Sequence, residues 1–179
     1  PATGTTTALA TMNTMLPVAD APVIVDVNPA ADRLRFMSGT TNHRVNMDTG
    51  EVTVDGSLAF VAEDMHAGEA PDIVAAAYIN SYGKPEKTAM FNIDATISAV
   101  IQQTKPNDGT LAAIGKLGVA LQGPVGMDVA TTADGTNTAW LAALGGLHTV
   151  DLGTGKVIAS WPLTGVEGTL RDIAILPAM

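Results

Sequence analysis

Three of the four arginines in this chain, Arg33, Arg35 and Arg44, fall within twelve residues of one another and are interleaved with Asp26, Asn28, Asp32 and Asn46. Guanidinium groups at that density have two uses. They can present planar, bidentate donors to an anionic ligand, or they can pair with neighbouring carboxylates across adjacent strands and fix strand register. Arg33 and Arg35 alternate with Leu34 and Phe36, so in a strand the two arginines share one face. Arg35 and Arg44 then sit on neighbouring strands, where they can form a cross-strand pair with the acids. The seven residues Asp26, Asn28, Asp32, Arg33, Arg35, Arg44 and Asn46 are the candidate binding or structural network, and the structural network is the favoured use.

Other chemistry finds less support in the residue pattern. The histidines, His43, His66 and His148, lie far apart and show no His-x-His or His-x-x-x-His spacing, so no zinc site is expected. No Ser stands in a Gly-x-Ser-x-Gly elbow, and the Gly-x-Gly-x-x-Gly and P-loop cradles are missing. The turns Asp48-Thr49-Gly50 and Asn107-Asp108-Gly109 offer hard oxygen ligands for calcium. They do not place carboxylates at alternate positions around a Gly as a calcium loop does. No catalytic residue, cofactor or metal is therefore assigned. Tyr78, Tyr82, Trp140 and Trp161 are too scattered along the chain to suggest a stacking platform, and core packing is their expected role.

The elements that must carry the arginine cluster are short strands. From His43 to Gly56 two alternating runs, Val45/Met47 and Val52/Val54, flank Asp48-Thr49-Gly50, which is the pattern of a β-hairpin. The unit recurs. His148-Thr-Val-Asp-Leu-Gly-Thr-Gly-Lys-Val-Ile-Ala-Ser-Trp161 is a second copy, and residues 90–101 are a degenerate one with Ile97 in the glycine position. Residues 1–10 resemble the second half of another. The turn positions are Gly4, Gly50, Ile97 and Gly155, with spacings of 46, 47 and 58 residues. Between them lie compact apolar runs at 23–28, 72–78, 125–129 and 171–176, each of strand length. A period of about 40–50 residues holding about four short strands is the spacing of propeller blades. The expected fold is all-β: a propeller-like array of about four antiparallel strand-turn repeats in one domain over residues 1–179, cut inside a repeat at both ends. A β-sandwich is the alternative. Residues 58–71 read as a polar loop and 105–109 as the clearest turn.

Composition narrows the partner. A net charge of −9, from 9 basic against 18 acidic residues, argues against nucleic acid, which requires a basic face. Thirteen of the acids are Asp, which suits turns better than helix surfaces. The chain has no Cys, so disulfides and thiolate chemistry are excluded. No apolar run reaches the roughly 20 residues of a membrane-spanning helix. The chain begins at Pro1 rather than Met, so the natural N-terminus is expected to lie upstream.

Asp26-Val-Asn-Pro-Ala-Ala-Asp-Arg-Leu-Arg35, Arg44-Val-Asn-Met-Asp-Thr-Gly50, Val54-Asp-Gly56, Ala75-Ala-Ala-Tyr-Ile-Asn80, Pro106-Asn-Asp-Gly-Thr-Leu111 and residues 147–155 resemble, in order, the domain-of-unknown-function family DUF4394. Met65-His66 and His148 depart from the family's usual residues. The resemblance implies a bacterial, usually exported, propeller-like β domain without an established activity, in which a further N-terminal section carries two more strand-turn units. The function expected on these grounds is a non-enzymatic interaction module, periplasmic or extracellular. It would act as an accessory subunit docking on a larger, membrane-associated assembly, with unpaired edge strands inviting a protein partner or self-assembly. Two other expectations stand beside it. One is a small-ligand-binding or enzymatic propeller using the Arg/Asp cluster. The other is a structural extracellular repeat protein.

Overall fold

The computed structural model describes residues 3–176, so Pro1 and Ala2 of the expected half-hairpin, and the end of the expected domain beyond 176, lie outside the described residues. The described chain is all-β, with thirteen strands in three sheets and no helix. Sheet 1 is an antiparallel meander of β1 (Ile24–Asn28), β2 (Arg33–Ser38), β3 (Thr41–Asn46) and β4 (Val52–Val54). Sheet 2 contains β6 (Ile73–Tyr78), β7 (Met90–Asp94), β8 (Ala99–Lys105) and β9 (Thr110–Lys116) as a second meander. To its β9 edge the two-residue β5 (Ala59–Phe60) adds in parallel. Sheet 3 repeats the meander with β10 (Gly126–Thr131), β11 (Asn137–Ala143), β12 (Gly146–Val150) and β13 (Val157–Pro162).

Sheet 2 lies between the other two. One apolar cluster joins Ile24 and Met37 of sheet 1 to Ile73, Ala76, Met90, Ile101 and Leu111 of sheet 2. A second joins Ala75, Ala77, Phe91, Ile93 and Val100 of sheet 2 to Met127, Val129, Ala139, Leu141 and Val150 of sheet 3. A sheet covered on both faces needs apolar residues at consecutive positions rather than alternate ones. The runs Ile-Val-Ala-Ala-Ala in β6 and Ala-Val-Ile in β8 supply them. Alternation persists in β1, where Ile24 is buried while Val25 and Val27 are exposed. The strand expected at 23–28 is thus an edge strand with one covered face.

The third hairpin of each meander is built the same way. Asn46 Oδ1 accepts the amides of Asp48 at 3.0 Å and Thr49 at 3.4 Å, and Gly50 at φ 74° closes the turn. Asp151 Oδ1 accepts Gly153 and Thr154 at 2.7 and 3.2 Å, and Gly155 has φ 77°. These amides hold the Asp151 carboxyl below the usual carboxylate range. The short Asx side chain substitutes for a backbone acceptor, and glycine takes the left-handed conformation at no steric cost. In sheet 2 the equivalent residue is Gly109, at φ 73° between β8 and β9. This corrects the repeat phase: Ile97 belongs to the preceding hairpin, β7–β8, where Ser98 takes the positive φ of 49°. The connection through residues 58–71 lengthens the first interval and hid the true register. The described residues contain three complete meanders rather than about four. Residues 3–10 and 171–176, expected as strands, carry no strand assignment.

Candidate functional site

Cross-strand register decides which of the seven candidate residues meet. In sheet 1, Asp26 stands opposite Arg35, and Arg35 opposite Arg44, on the face turned to sheet 2. Asn28, Arg33 and Asn46 form the next row along. Opposite arginines repel unless an acid is placed between them. Asp55, just beyond β4, supplies it: its Oδ2 accepts Arg35 Nη1 at 2.6 Å and Arg44 Nε at 2.7 Å, and its Oδ1 accepts Arg44 Nη2 at 2.9 Å. Asp55 in turn raises the Arg44 pKa further above its ordinary value.

Arg35 is 1% exposed and spends its remaining donors on Asn42 of its own sheet and on two partners across the sheet boundary. Its Nε donates to Tyr78 Oη at 3.3 Å, Nη1 also to Asn42 Oδ1 at 3.0 Å, and Nη2 to Asn107 Oδ1 at 2.9 Å. Asn42 Nδ2 donates to the carbonyls of Gly56 and Pro106 at 3.0 and 2.8 Å. Gln103 Nε2 donates to Asn42 Oδ1 at 3.2 Å and to Pro106 O at 3.0 Å, and Asn92 Nδ2 donates to Gln103 Oε1 at 3.2 Å. One continuous network therefore runs from half-exposed Arg44 in sheet 1, through buried Asp55, Arg35, Asn42 and Gln103, to Asn92 in sheet 2. A buried guanidinium is tolerated when its charge is paired and its nitrogens have acceptors, and here Asp55 pairs the charge while each of the three nitrogens donates at least one bond.

The other expected members do not join this network. Arg33 turns back to donate to Asp32 O at 2.9 Å, while Asn28 and Asn46 cap their own turns. Asp32 pairs on the surface with Lys84 at 2.8 Å. Asp26 reaches sheet 2 by a different contact: its Oδ2 accepts the Tyr78 amide at 2.6 Å. The participants that sequence reasoning missed are Asn42, Asp55, Tyr78, Asn92, Gln103 and Asn107. Gln103 carried a signal, because it is a long polar residue two positions past Ile101 and so falls on the same strand face as that apolar residue. Asp55 and Asn107 read only as turn residues, since nothing local says which neighbouring sheet a turn will touch.

Burial pushes the Asp26 carboxyl up to about 6, with Asp128 and Asp172 adding repulsion and the Tyr78 and Val27 amides opposing. Asp172 is likewise raised, mainly by burial. A carboxyl with a folded pKa above its unfolded one near 3.8 binds its proton more tightly in the folded state. Its stabilising contribution is complete below the unfolded value and is lost as pH rises through the folded one. Asp26→Asn keeps an oxygen acceptor for the Tyr78 amide and removes the charge. At pH 7 the variant is expected to exceed the parent in stability by ~2 kcal/mol, with the gap closing by about pH 4. Urea unfolding at several pH values reads this, and equal stabilities at pH 7 would contradict it.

Each meander also locks to the segment before it through its turn glycine. A Cβ on Gly109 would overlap the carbonyls of Gly56 and Ser57, and one on Gly155 would overlap that of Gly115. A Cβ on Gly50 would overlap the carbonyl of Thr11. Hydrogen bonds accompany these approaches: Asn13 N to Gly50 O at 3.0 Å, Ala59 N to Gly109 O at 3.0 Å, and Val157 N to Leu117 O at 3.1 Å. The receiving residue stands six residues after the previous turn glycine for Gly56 and Gly115, and seven after Gly4 for Thr11. At the inner ends, Asp128 Oδ2 accepts the Ile175 amide at 2.5 Å, as Asp26 accepts that of Tyr78. Residues 171–176 thus stand to β10 as β6 stands to β1.

On the face of sheet 3 turned away from sheet 2, cross-strand rows bring Trp140 of β11 and Trp161 of β13 together, their rings 5.7 Å apart and tilted by 42°. The two tryptophans were not expected to meet. Beside Trp140 a cleft of about 650 Å³ is lined by Tyr82, Ala130, Thr138 and Ile175.

No curated protein and no solved structure matches this chain. The family model of a domain of unknown function, DUF4394, matches residues 1–174, nearly the whole chain. The chain belongs to the DUF4394 family.

Proposed function

We propose that this chain is a propeller-like array of four-stranded sheets serving as a non-enzymatic interaction module outside the cytoplasm, where it docks on a larger assembly. The observation that carries the reading is the face of sheet 3 bearing Trp140 and Trp161, with Trp161 47% exposed. Exposed tryptophan on a sheet face is the residue type that anchors protein interfaces. The array reading draws support from the recurring glycine joint and from the inner strands. The carboxyls of Asp26, Asp128 and Asp172 lie near enough to raise the first of them, so three inner segments converge. The Arg/Asp cluster fits the structural role better than ligand capture, because Arg35 is buried and its donors go to Tyr78, Asn42, Asp55 and Asn107.

A photo-crosslinking residue at position 161, compared with one at exposed Met65, tests the reading in the native secreted fraction. Adducts of defined mass with other polypeptides, this chain included, are expected from 161 and not from 65. No enrichment at 161 would overturn it.

A further inference from the structure

We infer that the cleft at the strand ends between sheets 1 and 2 binds a small hydroxycarboxylate. The Tyr78 hydroxyl, Lys105 and two asparagine NH2 groups hold its carboxylate, and Asp108 accepts from its hydroxyl. The site is independent of the Trp161 face and of the interaction-module reading above.

Asn28, Tyr78 and Lys105 are the last residues of β1, β6 and β8. With Asn107 and Asp108 of the β8–β9 turn they line a cleft of about 400 Å³, near the lower end of the range for small-molecule sites. The bonds made within the fold leave one group free on each of these side chains. Tyr78 is 2% exposed and its oxygen accepts Arg35 Nε at 3.3 Å, while its hydroxyl hydrogen has no acceptor among the described residues. A buried hydroxyl with an unused donor is costly, and a ligand oxygen removes that cost. Donation from the guanidinium also polarises the hydroxyl and makes it a better donor.

The asparagines are oriented by their own partners. Asn28 Oδ1 accepts the amides of Ala30 and Ala31, both at 3.0 Å, and Asn107 Oδ1 accepts Arg35 Nη2 at 2.9 Å. Each oxygen is therefore fixed toward a protein donor, and each NH2 group is left without a protein acceptor among the described residues. Lys105 and Asp108 lie three residues apart, yet neither takes part in any of the ion pairs of the described residues. The Pro106 carbonyl beside them is already taken by Asn42 Nδ2 and Gln103 Nε2.

Four free donor groups thus share the cleft with one free carboxylate. The complementary ligand is rich in acceptors and carries a donor as well. A carboxylate offers about four lone-pair sites on its two oxygens, and an adjacent hydroxyl supplies the proton that Asp108 accepts. A fully ionised anion without a donor, such as sulfate, meets only repulsion from Asp108, so that residue selects against it. A neutral alcohol leaves Lys105 unmatched.

NMR titration of the ¹⁵N-labelled full chain with L-lactate, propionate and sulfate tests this. L-lactate is expected to shift the side-chain NH2 signals of Asn28 and Asn107 saturably, with a millimolar dissociation constant in keeping with its few atoms. Propionate, which lacks the hydroxyl, should bind at least about fivefold more weakly, and sulfate should not saturate. Lys105→Met, at an exposed position, should weaken L-lactate binding about tenfold, and Tyr78→Phe at least as much. Circular dichroism checks the fold of both, and Lys105→Met carries the test alone if Tyr78→Phe does not fold. Asp108→Ala should close the gap between L-lactate and propionate. No saturable shift at Asn28 and Asn107, propionate binding as tightly as L-lactate, or Lys105→Met binding like the parent would each overturn the inference.

Discussion

Arg35→Ala is expected to lower stability by about 3–5 kcal/mol, the cost of leaving the partners of a buried charge unpaired. Asp55, whose side chain is 4% exposed, loses one of its two arginines, and Asn42, Asn107 and Tyr78 each lose a donor. The loss falls on the boundary between sheets 1 and 2, since Asn107 and Tyr78 belong to sheet 2 and its turns. For a chain of this size the midpoint of thermal unfolding should drop by roughly 10 °C. Arg33→Ala is the contrast: its guanidinium reaches only the carbonyls of Ala31 and Asp32, and its effect should stay within about 0.5 kcal/mol. Equal effects of the two variants in denaturant unfolding would contradict the network.

Gly109→Ala carries the other large effect. The left-handed backbone costs an ordinary residue about 1–2 kcal/mol before any contact is counted. The added methyl must also displace the backbone of Gly56 and Ser57, so a total of about 3 kcal/mol or more is expected. Gly135→Ala separates the two contributions. Gly135 has φ 85° and open space around it, so only the backbone cost of about 1–2 kcal/mol should appear there. Chemical unfolding of both variants measures the difference, and comparable losses would show that the joint is loose.

The sequence made the strands and turns legible because their signals are local. Period-two alternation marked β3 and β4, and Asp48-Thr49-Gly50 and Asp151 announced their turns, whereas Asn46, read as a network member, proves to be the cap of the first. The repeat phase was harder. Gly109 sits in Pro106-Asn-Asp-Gly, a turn noticed for itself but not as a copy of Asn46-Met-Asp-Thr-Gly50, because Lys105 replaces the capping Asn and Thr110 Oγ1 takes over the Lys105 amide. In the Arg cluster, side-chain direction along β2 paired Arg35 with Arg44 correctly. It could not supply Asn107, 72 residues away, or Gln103, 61 residues from its partner Asn42. Contacts across a sheet boundary depend on which face the next meander covers, and that is set by the stacking of all three sheets. The tryptophan pair was hidden for a related reason: positions 140 and 161 meet only through the register of β11, β12 and β13.

The central claim is that turn glycines couple each meander to the one before it. Native-state hydrogen exchange on Gly155→Ala tests it most directly. Gly155 sits in sheet 3, but its contact, Gly115, and the acceptor of the Val157 amide, Leu117, follow from sheet 2. The account predicts faster exchange on both sides of the joint, along β9 as well as β12 and β13. Faster exchange confined to the turn at 151–156, with β9 unchanged, would contradict it.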